Sequence, residues 1–195
     1  AQIGETVAVI GLGVVGILTV QLARAAGCRV LGMDPDANRR ITAKSIGCQA
    51  TAATDAEFKD MISEWTHRFG ADRVIIAADT NSSEPVALAG ETARDRATVV
   101  GVGAIGLDIP RRDYYEKELD FKVSRSYGPG RYDSDYEERG QDYPIGYVRW
   151  TENRNMRSFV ELVAEGKVDV ATLISHRFPI QDAPASYELI SNSSG

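Results

Sequence analysis

Three glycines near the amino terminus have the spacing of a phosphate-binding loop. The stretch GLGVVG has the form GxGxxG and lies directly after a short apolar run. Gly11 permits a tight turn, Gly13 lets the backbone approach a pyrophosphate, and Gly16 lets a following helix pack closely on its strand. The free amides of Val14 and Val15 would point out of the helix start, where the helix dipole favours anions. We expect a diphosphate to bind there; a tight turn without a ligand is the alternative.

An acidic residue completes this pattern. Asp34 stands 18 residues after the last of these glycines, at the end of a second apolar run, Arg29–Met33. A carboxylate at that place accepts hydrogen bonds from the ribose hydroxyls of adenosine and repels a 2′-phosphate, which favours NAD over NADP. Arg39 and Arg40 weaken this preference, because a nearby arginine can accommodate the extra phosphate. Capping a helix is the alternative role of Asp34, although Asp36 suits that role better.

The elements that would position these residues alternate between strand and helix. This alternation predicts an α/β fold of the Rossmann type, a doubly wound parallel sheet with helices on both faces. We expect a binding domain over residues 1–170, followed by a tail over residues 171–195. The predicted strands are 6–10, 29–33, 49–53, 73–78, 97–102, 107–109 and 120–123, with a further short strand after residue 172. The predicted helices are 14–26, 36–46, 55–68, 84–94, 153–165, a turn at Tyr114 and Tyr115, and a last helix opened by Asp182.

Two turns at the carboxyl ends of predicted strands are further candidates. Ligands of an open parallel sheet bind outside those ends. The turn that begins at Ala78 and the turn Gly101-Val102-Gly103 are therefore expected to line the cofactor, the second one nearer the nicotinamide. Ordinary loop chemistry is the alternative for the polar residues Asp79 and Thr80.

The composition excludes several classes of protein. A net charge of −6 does not suit a general nucleic-acid binder, which needs clustered cations. Cys28 and Cys48 form no CxxC, so a structural zinc site lacks ligands, and we expect two buried, unpaired thiols. His67 and His176 have no partners at ligand spacing. The chain has neither an apolar run of membrane-spanning length nor a signal segment, so we expect a cytoplasmic protein.

Residues 127–150 form a long polar loop that is rich in aromatic side chains. Loops of this length inside a compact domain are usually functional. Its tyrosines could cover the nicotinamide or a sugar-like substrate, while Arg131, Arg139 or Arg149 pairs with an acidic group. A self-packed surface loop or a subunit contact is the equal alternative. The aromatic residues of this loop are Tyr127, Tyr132, Tyr136, Tyr143, Tyr147 and Trp150.

Several separated segments resemble one known family. The stretch GETVAVIGLGVVGILTVQLARAAGCRVLGMD and the tail HRFPIQDAPASYELI are similar to the coenzyme-binding domain of the medium-chain, alcohol-dehydrogenase-like dehydrogenases and reductases. The resemblance implies pyrophosphate at Val14 and Val15, adenosine ribose at Asp34 and Arg39, and nicotinamide beside Val100 and Val102. It also implies that the backbone of residues 125–127 lies near the carboxamide. The residues expected to contact the cofactor are Gly11, Gly13, Val14, Val15, Gly16, Asp34, Arg39, Ala78, Val100, Gly101 and Val102.

The resemblance also carries expectations about the whole protein. The stretch SYGPGRYDSDYEERGQDYPIGYVRWTENRNM is similar to a bacterial branch in which this domain is fused to a unit resembling the glucose-fructose oxidoreductases, often linked to surface polysaccharide pathways. Family members carry an amino-terminal catalytic domain that supplies zinc ligands or a substrate pocket, and nothing in this chain corresponds to it. We therefore expect a fragment that binds dinucleotide but is inactive alone, with a tail that returns to that missing domain.

The sequence also leads to expectations about subunit pairing and about alternative functions. In the resembled family, the edge formed by strands such as those near Leu107 and Val123 pairs two coenzyme domains, so we expect a homodimer. The leading function is the nucleotide-binding half of an NAD-dependent oxidoreductase. A non-catalytic NAD-sensing module is the first alternative, although it has no use for the returning tail. A methyltransferase that binds S-adenosylmethionine is the second, and the full glycine spacing argues against it.

Overall fold

Six parallel strands form one sheet in the computed structural model, which describes residues 1–192. The strands are β1 (Thr6–Ile10), β2 (Arg29–Met33), β3 (Ala50–Ala52), β4 (Ala71–Ile76), β5 (Ala93–Gly101) and β6 (Asp120–Val123). Their order is β3-β2-β1-β4-β5-β6, and every neighbouring pair is parallel. The chain thus winds outward from β1 in one direction and from β4 in the other. This confirms the predicted Rossmann fold and puts its topological switch point between β1 and β4.

Helices cover the sheet and follow its strands. They are α1 (Val14–Ala25), α2 (Ala37–Ser45), α3 (Asp55–Trp65), α4 (Glu84–Thr92), α5 (Arg111–Glu116), α6 (Ser134–Glu137), α7 (Glu152–Ala164) and α8 (Ala183–Asn192). Two short 3₁₀ turns, Ala171–Leu173 and Ile180–Asp182, lie in the tail. The tail prediction was right about a final helix but wrong about a short strand. The Asp169 carboxylate accepts the amides of Ala171 and Thr172, which tightens that stretch into a 3₁₀ turn.

The two faces of the sheet bury separate apolar clusters. Along β1, Val7 and Val9 pack with α1 and α2, whereas Ala8 and Ile10 pack with α3, α4 and α5. Successive side chains of a strand point to opposite faces, so a strand covered on both sides must be apolar throughout. All five residues of β1 are buried accordingly. The run TVAVI is therefore explained by two core layers rather than one.

The predicted strand over residues 107–109 is wrong. No strand forms there, and only Ile105 makes an isolated parallel bridge, to Thr80. The segment is tied instead to the loop before α4. The Gly106 amide donates to the Ser82 carbonyl at 3.1 Å, and the Asp108 amide donates to the Ser83 hydroxyl at 3.0 Å. These bonds hold the segment in the loop before α5, and β6 and β3 are the two edge strands of the sheet.

The start of the tail packs against α1. Gln21 donates to the Asp169 carbonyl at 3.0 Å, and its side-chain oxygen accepts the Asp169 amide at 2.6 Å. Leu173 packs against the cluster under α1, and Val168 is buried beside this contact. Beyond it, Ile180 and Tyr187 are largely exposed.

Both cysteines are buried and unpaired, as predicted. Burial raises the pKa of Cys28, and it raises that of Cys48 to about 11, which disfavours the nucleophilic thiolate form of both. Among the helices of the described chain, none combines the length and apolarity of a membrane span.

Candidate functional site

A cleft of about 800 Å³ opens at the carboxyl ends of β1 and β4, at the switch point of the sheet. It combines residues that are far apart in the sequence, because parallel strands bring all their carboxyl ends to one edge. The residues that line it are Ile10, Gly11, Gly13, Val14, Val15, Met33, Asp34, Pro35, Arg39, Asp55, Ala77, Ala78, Asp79, Thr80, Ser82, Glu84, Pro85 and Leu88.

A different structural feature explains the presence of glycine at each of the three loop positions. Gly11 has φ +91°, and an added Cβ would lie 2.7 Å from the Ala78 nitrogen. At Gly16 a Cβ would lie 1.9 Å from the Gly11 carbonyl oxygen, so the helix touches the turn directly. At Gly13 a Cβ would have no atom within 4 Å, because it would project into open space at the cleft. Gly11 and Gly16 are thus needed for packing, whereas Gly13 leaves room for a ligand.

The start of α1 offers unpaired amides to this space. The Ile17 amide is the first to bond within the helix, to the Gly13 carbonyl at 2.9 Å, so the amides before it have no partner in the helix. Gly13 caps the helix without a side chain. Val14 and Val15 are exposed at this end. Amides arranged in this way at a helix start bind phosphate groups.

Asp34 is held rigidly at the end of β2. Its side chain is 3% exposed. One carboxylate oxygen accepts the Leu12 amide at 2.8 Å and the other accepts the Asp36 amide at 2.9 Å. Each oxygen of a carboxylate can accept a second hydrogen bond, so two acceptor positions remain for the hydroxyls of a ligand. The bond to Leu12 also ties this carboxylate to the glycine loop.

Two arginines follow Asp34, and they differ in whether the side chain is already engaged in hydrogen bonds. The Arg39 guanidinium lies 3.6 Å from the Asp34 carboxylate, and its side chain is 57% exposed, so it borders the cleft as an exposed cation. Arg40 donates to the carbonyls of Asp34 and Pro35, both at 2.7 Å. It therefore fixes the backbone at the end of β2. Asp36 caps α2, and the amides of Arg39 and Asn38 lower its pKa, so its role is the capping role predicted from the sequence.

The predicted residues of β4 and β5 are only partly brought together. Ala78 lines the cleft, as do its neighbours Asp79 and Thr80. Val100, Gly101 and Val102 are not among the cleft-lining residues. The Val102 amide bonds to the Ile76 carbonyl at 2.9 Å, and the Val102 side chain is 37% exposed. Their contact with the nicotinamide stays a prediction.

Several residues that line the cleft were not predicted from the sequence. Asp55, Ser82, Glu84 and Pro85 lie at or before the starts of α3 and α4. The signal that could have found them is positional, since helices that follow β3 and β4 must begin at the same edge as α1. Four of the side chains that line the cleft are acidic and one is cationic. Together they give the lining a net negative charge.

The two histidines take no part in the cleft. His67 lies in the turn after α3 with φ +53°, and His176 contacts the Ser175 hydroxyl and stacks on Phe178. Within the described residues, no group of three or more His, Cys, Asp or Glu could hold a metal ion.

The aromatic loop lies outside the cleft lining. Arg131, Arg139 and Arg149 contact their own neighbours: Arg131 pairs with Glu137, Arg139 with Asp135, and Arg149 lies 4.0 Å over the Trp150 ring. The predicted cover over the nicotinamide therefore has no support from the lining residues.

Comparison with known proteins identifies the class. Residues 14–139 match the family model described as zinc-binding dehydrogenase. The chain belongs to this family and is similar to the coenzyme-binding domain of its medium-chain, alcohol-dehydrogenase-like members.

Individual relatives agree with this assignment. The chain is 24% identical to 2-dehydro-3-deoxy-L-galactonate 5-dehydrogenase of Pseudoalteromonas atlantica, over 94% of this chain and 47% of that protein. It is 29% identical to probable D-xylulose reductase A of Emericella nidulans, over 98% of this chain and 48% of that protein. The alcohol dehydrogenase TADH from Thermus sp. ATN1 superposes with a TM-score of 0.76 at 23% identity, over 100% of this chain and 51% of that one.

One solved relative bears on the cofactor. A putative zinc-binding dehydrogenase from Sinorhizobium meliloti, bound to NADP, superposes with a TM-score of 0.70 at 27% identity, over 94% of this chain and 48% of that one. The chain spans about half the length of the relatives it matches.

Proposed function

We propose that this chain is the NAD-binding domain of an oxidoreductase that moves hydride between nicotinamide and an alcohol or carbonyl carbon of a sugar or polyol. The observation that carries the proposal is the open space at Gly13 beside the buried carboxylate of Asp34. One feature fits a diphosphate and the other fits the adjoining ribose. The relatives include a sorbitol dehydrogenase and a probable D-xylulose reductase, which supports the substrate class.

The chain's residues bind and orient, and the bound nicotinamide supplies the hydride chemistry. The amides of Val14 and Val15 donate to the diphosphate, assisted by the dipole of α1. Asp34 accepts the two ribose hydroxyls with its free acceptor positions. Arg40 keeps Asp34 in place through two backbone carbonyls.

Charge supports NAD over NADP. A 2′-phosphate would come close to the buried carboxylate of Asp34, and Asp55, Asp79 and Glu84 also line the cleft. Arg39 is the one cation among the lining residues, and it already lies beside Asp34. The extra phosphate would therefore meet net repulsion.

The same proposal leads to expectations about the rest of the enzyme. The chain spans about half the length of its relatives, so we expect catalytic groups and substrate contacts to come from another domain. We expect the isolated chain to bind dinucleotide without turnover. The edge strand β6, with Val123 exposed, supports pairing of two subunits through this edge. Fusion to a glucose-fructose oxidoreductase-like unit stays a prediction.

Isothermal titration with NAD and with NADP tests the proposal. We expect NAD to bind at least tenfold more tightly, and Asp34→Asn to reduce that ratio, because an amide repels the 2′-phosphate less and pairs the ribose less well. Asp36→Asn is the matched control, since asparagine caps a helix as well as aspartate does. Absence of binding by either dinucleotide at millimolar concentration would refute the function.

A further inference from the structure

One acidic side chain of the cleft is exposed and has no partner in the fold. Asp55 lines the cleft from the start of α3, and its side chain is open to solvent. Within residues 1–192 its carboxylate accepts no hydrogen bond and forms no ion pair. Lys59, one turn later on α3, pairs with Glu91 instead. The Asp55 carboxylate therefore brings free acceptor positions to the cleft, where a ligand can reach them.

The start of α3 is capped without this carboxylate. The Thr54 hydroxyl accepts the Glu57 amide at 3.3 Å, and the Glu57 carboxylate accepts the Ala53 amide at 2.8 Å. This arrangement is a capping box, in which two side chains satisfy amides at the start of a helix. Asp55 lies between the two capping residues and makes neither bond. Its carboxylate thus stays available for a ligand.

The register of the sheet sets Asp55 beside the end of β2. Met33 and Ala52 are register partners in β2 and β3, and the Asp34 amide donates to the Ala52 carbonyl at 3.2 Å. Asp55 comes three residues after Ala52, so Asp34 and Asp55 follow neighbouring strands. The other two acids of the lining, Asp79 and Glu84, follow β4, which lies on the opposite side of β1.

The base of the dinucleotide would lie on the Asp55 side. In the proposed function the diphosphate lies at the start of α1, after β1, and the adenosine ribose lies at Asp34, after β2. The strand beyond β2 is β3, and α3 follows it. The base is attached to the ribose on the side away from the diphosphate. A dinucleotide that runs from β1 to β2 therefore carries its base toward the start of α3.

The hydrogen-bonding groups of adenine fit this acceptor. The 6-amine of adenine is a donor, whereas a purine with a 6-keto group presents an acceptor at the same place. An ionised carboxylate only accepts, so it pairs with the amine and repels the keto oxygen. Resting on the proposed function, we infer that Asp55 selects the base of the dinucleotide, and favours adenine over hypoxanthine by accepting a hydrogen bond from the 6-amine.

Isothermal titration of the whole chain with NAD and with nicotinamide hypoxanthine dinucleotide tests this inference. The two ligands carry the same charge, so the net negative charge of the lining cannot separate them. We expect the parent chain to bind NAD about tenfold more tightly. Asp55→Asn should reduce this ratio to about twofold or less, because an amide can also donate to the keto oxygen.

Two control variants separate this role from a general effect of charge. Asp60→Asn makes the same change at an exposed position of α3 outside the cleft lining, and Asp79→Asn makes it within the lining on the β4 side. Both should keep the ratio at about tenfold. Binding of NAD by each variant shows that its fold is intact.

The outcomes for the inference and for the proposed function can be told apart. If the parent binds both dinucleotides equally, or if Asp55→Asn leaves the ratio unchanged, the inference is wrong while the proposed function stands. Loss of the ratio in either control would also overturn the inference. Absence of NAD binding by the parent would refute the proposed function, and the inference with it.

Discussion

The cleft and the stretch of residues 127–156, which we call the tyrosine segment, are built in opposite ways. The cleft collects residues from six elements and the loops between them, and its central contact joins the Leu12 amide to Asp34, 22 residues away. The tyrosine segment forms a pocket of about 540 Å³ from residues of one stretch. Local hydrogen bonds hold it, such as the one from the Asn153 amide to the Tyr136 hydroxyl. The cleft depends on the sheet, whereas the pocket depends on local packing. Damage to one region should therefore leave the other intact.

The two regions also present different groups. At the cleft, Gly13 and the residues after it offer backbone amides, and Asp34 is the fixed polar side chain. In the tyrosine segment, the pocket is lined by side chains, among them those of Arg131 and Glu152. Substitutions in the cleft therefore act mainly through backbone geometry, and those in the segment act through individual hydrogen bonds.

The largest effect is expected from Gly16→Ala. The new Cβ would lie 1.9 Å from the Gly11 carbonyl oxygen, so the helix and the turn must move apart. We expect the free energy of unfolding to fall by about 3 kcal/mol, as measured by urea denaturation. Gly13→Ala is the matched control, because its Cβ has open space and its φ of −67° suits alanine. It should keep stability within about 0.5 kcal/mol while weakening NAD at least tenfold. Equal loss of stability in both variants would contradict the separate roles.

A smaller effect is expected from Tyr143→Phe. The Tyr143 hydroxyl donates to Asp133, and this bond, with the Asp135 amide, lowers the pKa of that carboxyl. A lowered pKa means that the bond stabilises the segment above the ordinary pKa of aspartate and is lost as the pH falls through the lowered value. In the variant, carboxyl ¹³C NMR should show Asp133 titrating at higher pH. Tyr147→Phe, at a nearly fully exposed tyrosine, should leave that titration unchanged. An Asp133 titration that is identical in parent and Tyr143→Phe would show that the hydrogen bond does not form in solution.

The smallest effect is expected on NAD binding after deletion of residues 134–141. This removes Tyr136 and α6, and with them one wall of the pocket. None of these residues lines the cleft, so NAD affinity should change by less than about twofold, as measured by calorimetry. A large loss of NAD affinity in a folded variant would join the two regions into one site.

Sequence reasoning succeeded where short-range signals decide the structure. The spacing of Gly11, Gly13 and Gly16 and the position of Asp34 predicted the loop and the end of β2. It failed at residues 107–109, where Leu107 and Ile109 on either side of Asp108 suggested a strand. Hydrogen bonds from Gly106 and Asp108 to the loop before α4 override that preference, and no local pattern reveals such partners.

The sequence alone determined that strands and helices alternate, and that the glycine loop stands between a strand and a helix. These features follow from side-chain period and from the conformational freedom of glycine, which are local properties. Only the tertiary structure decided which acids line the cleft and that Arg131 and Glu152 line one pocket. Such neighbours are set by chain topology and by packing between distant residues, which the order of residues encodes only through the complete fold.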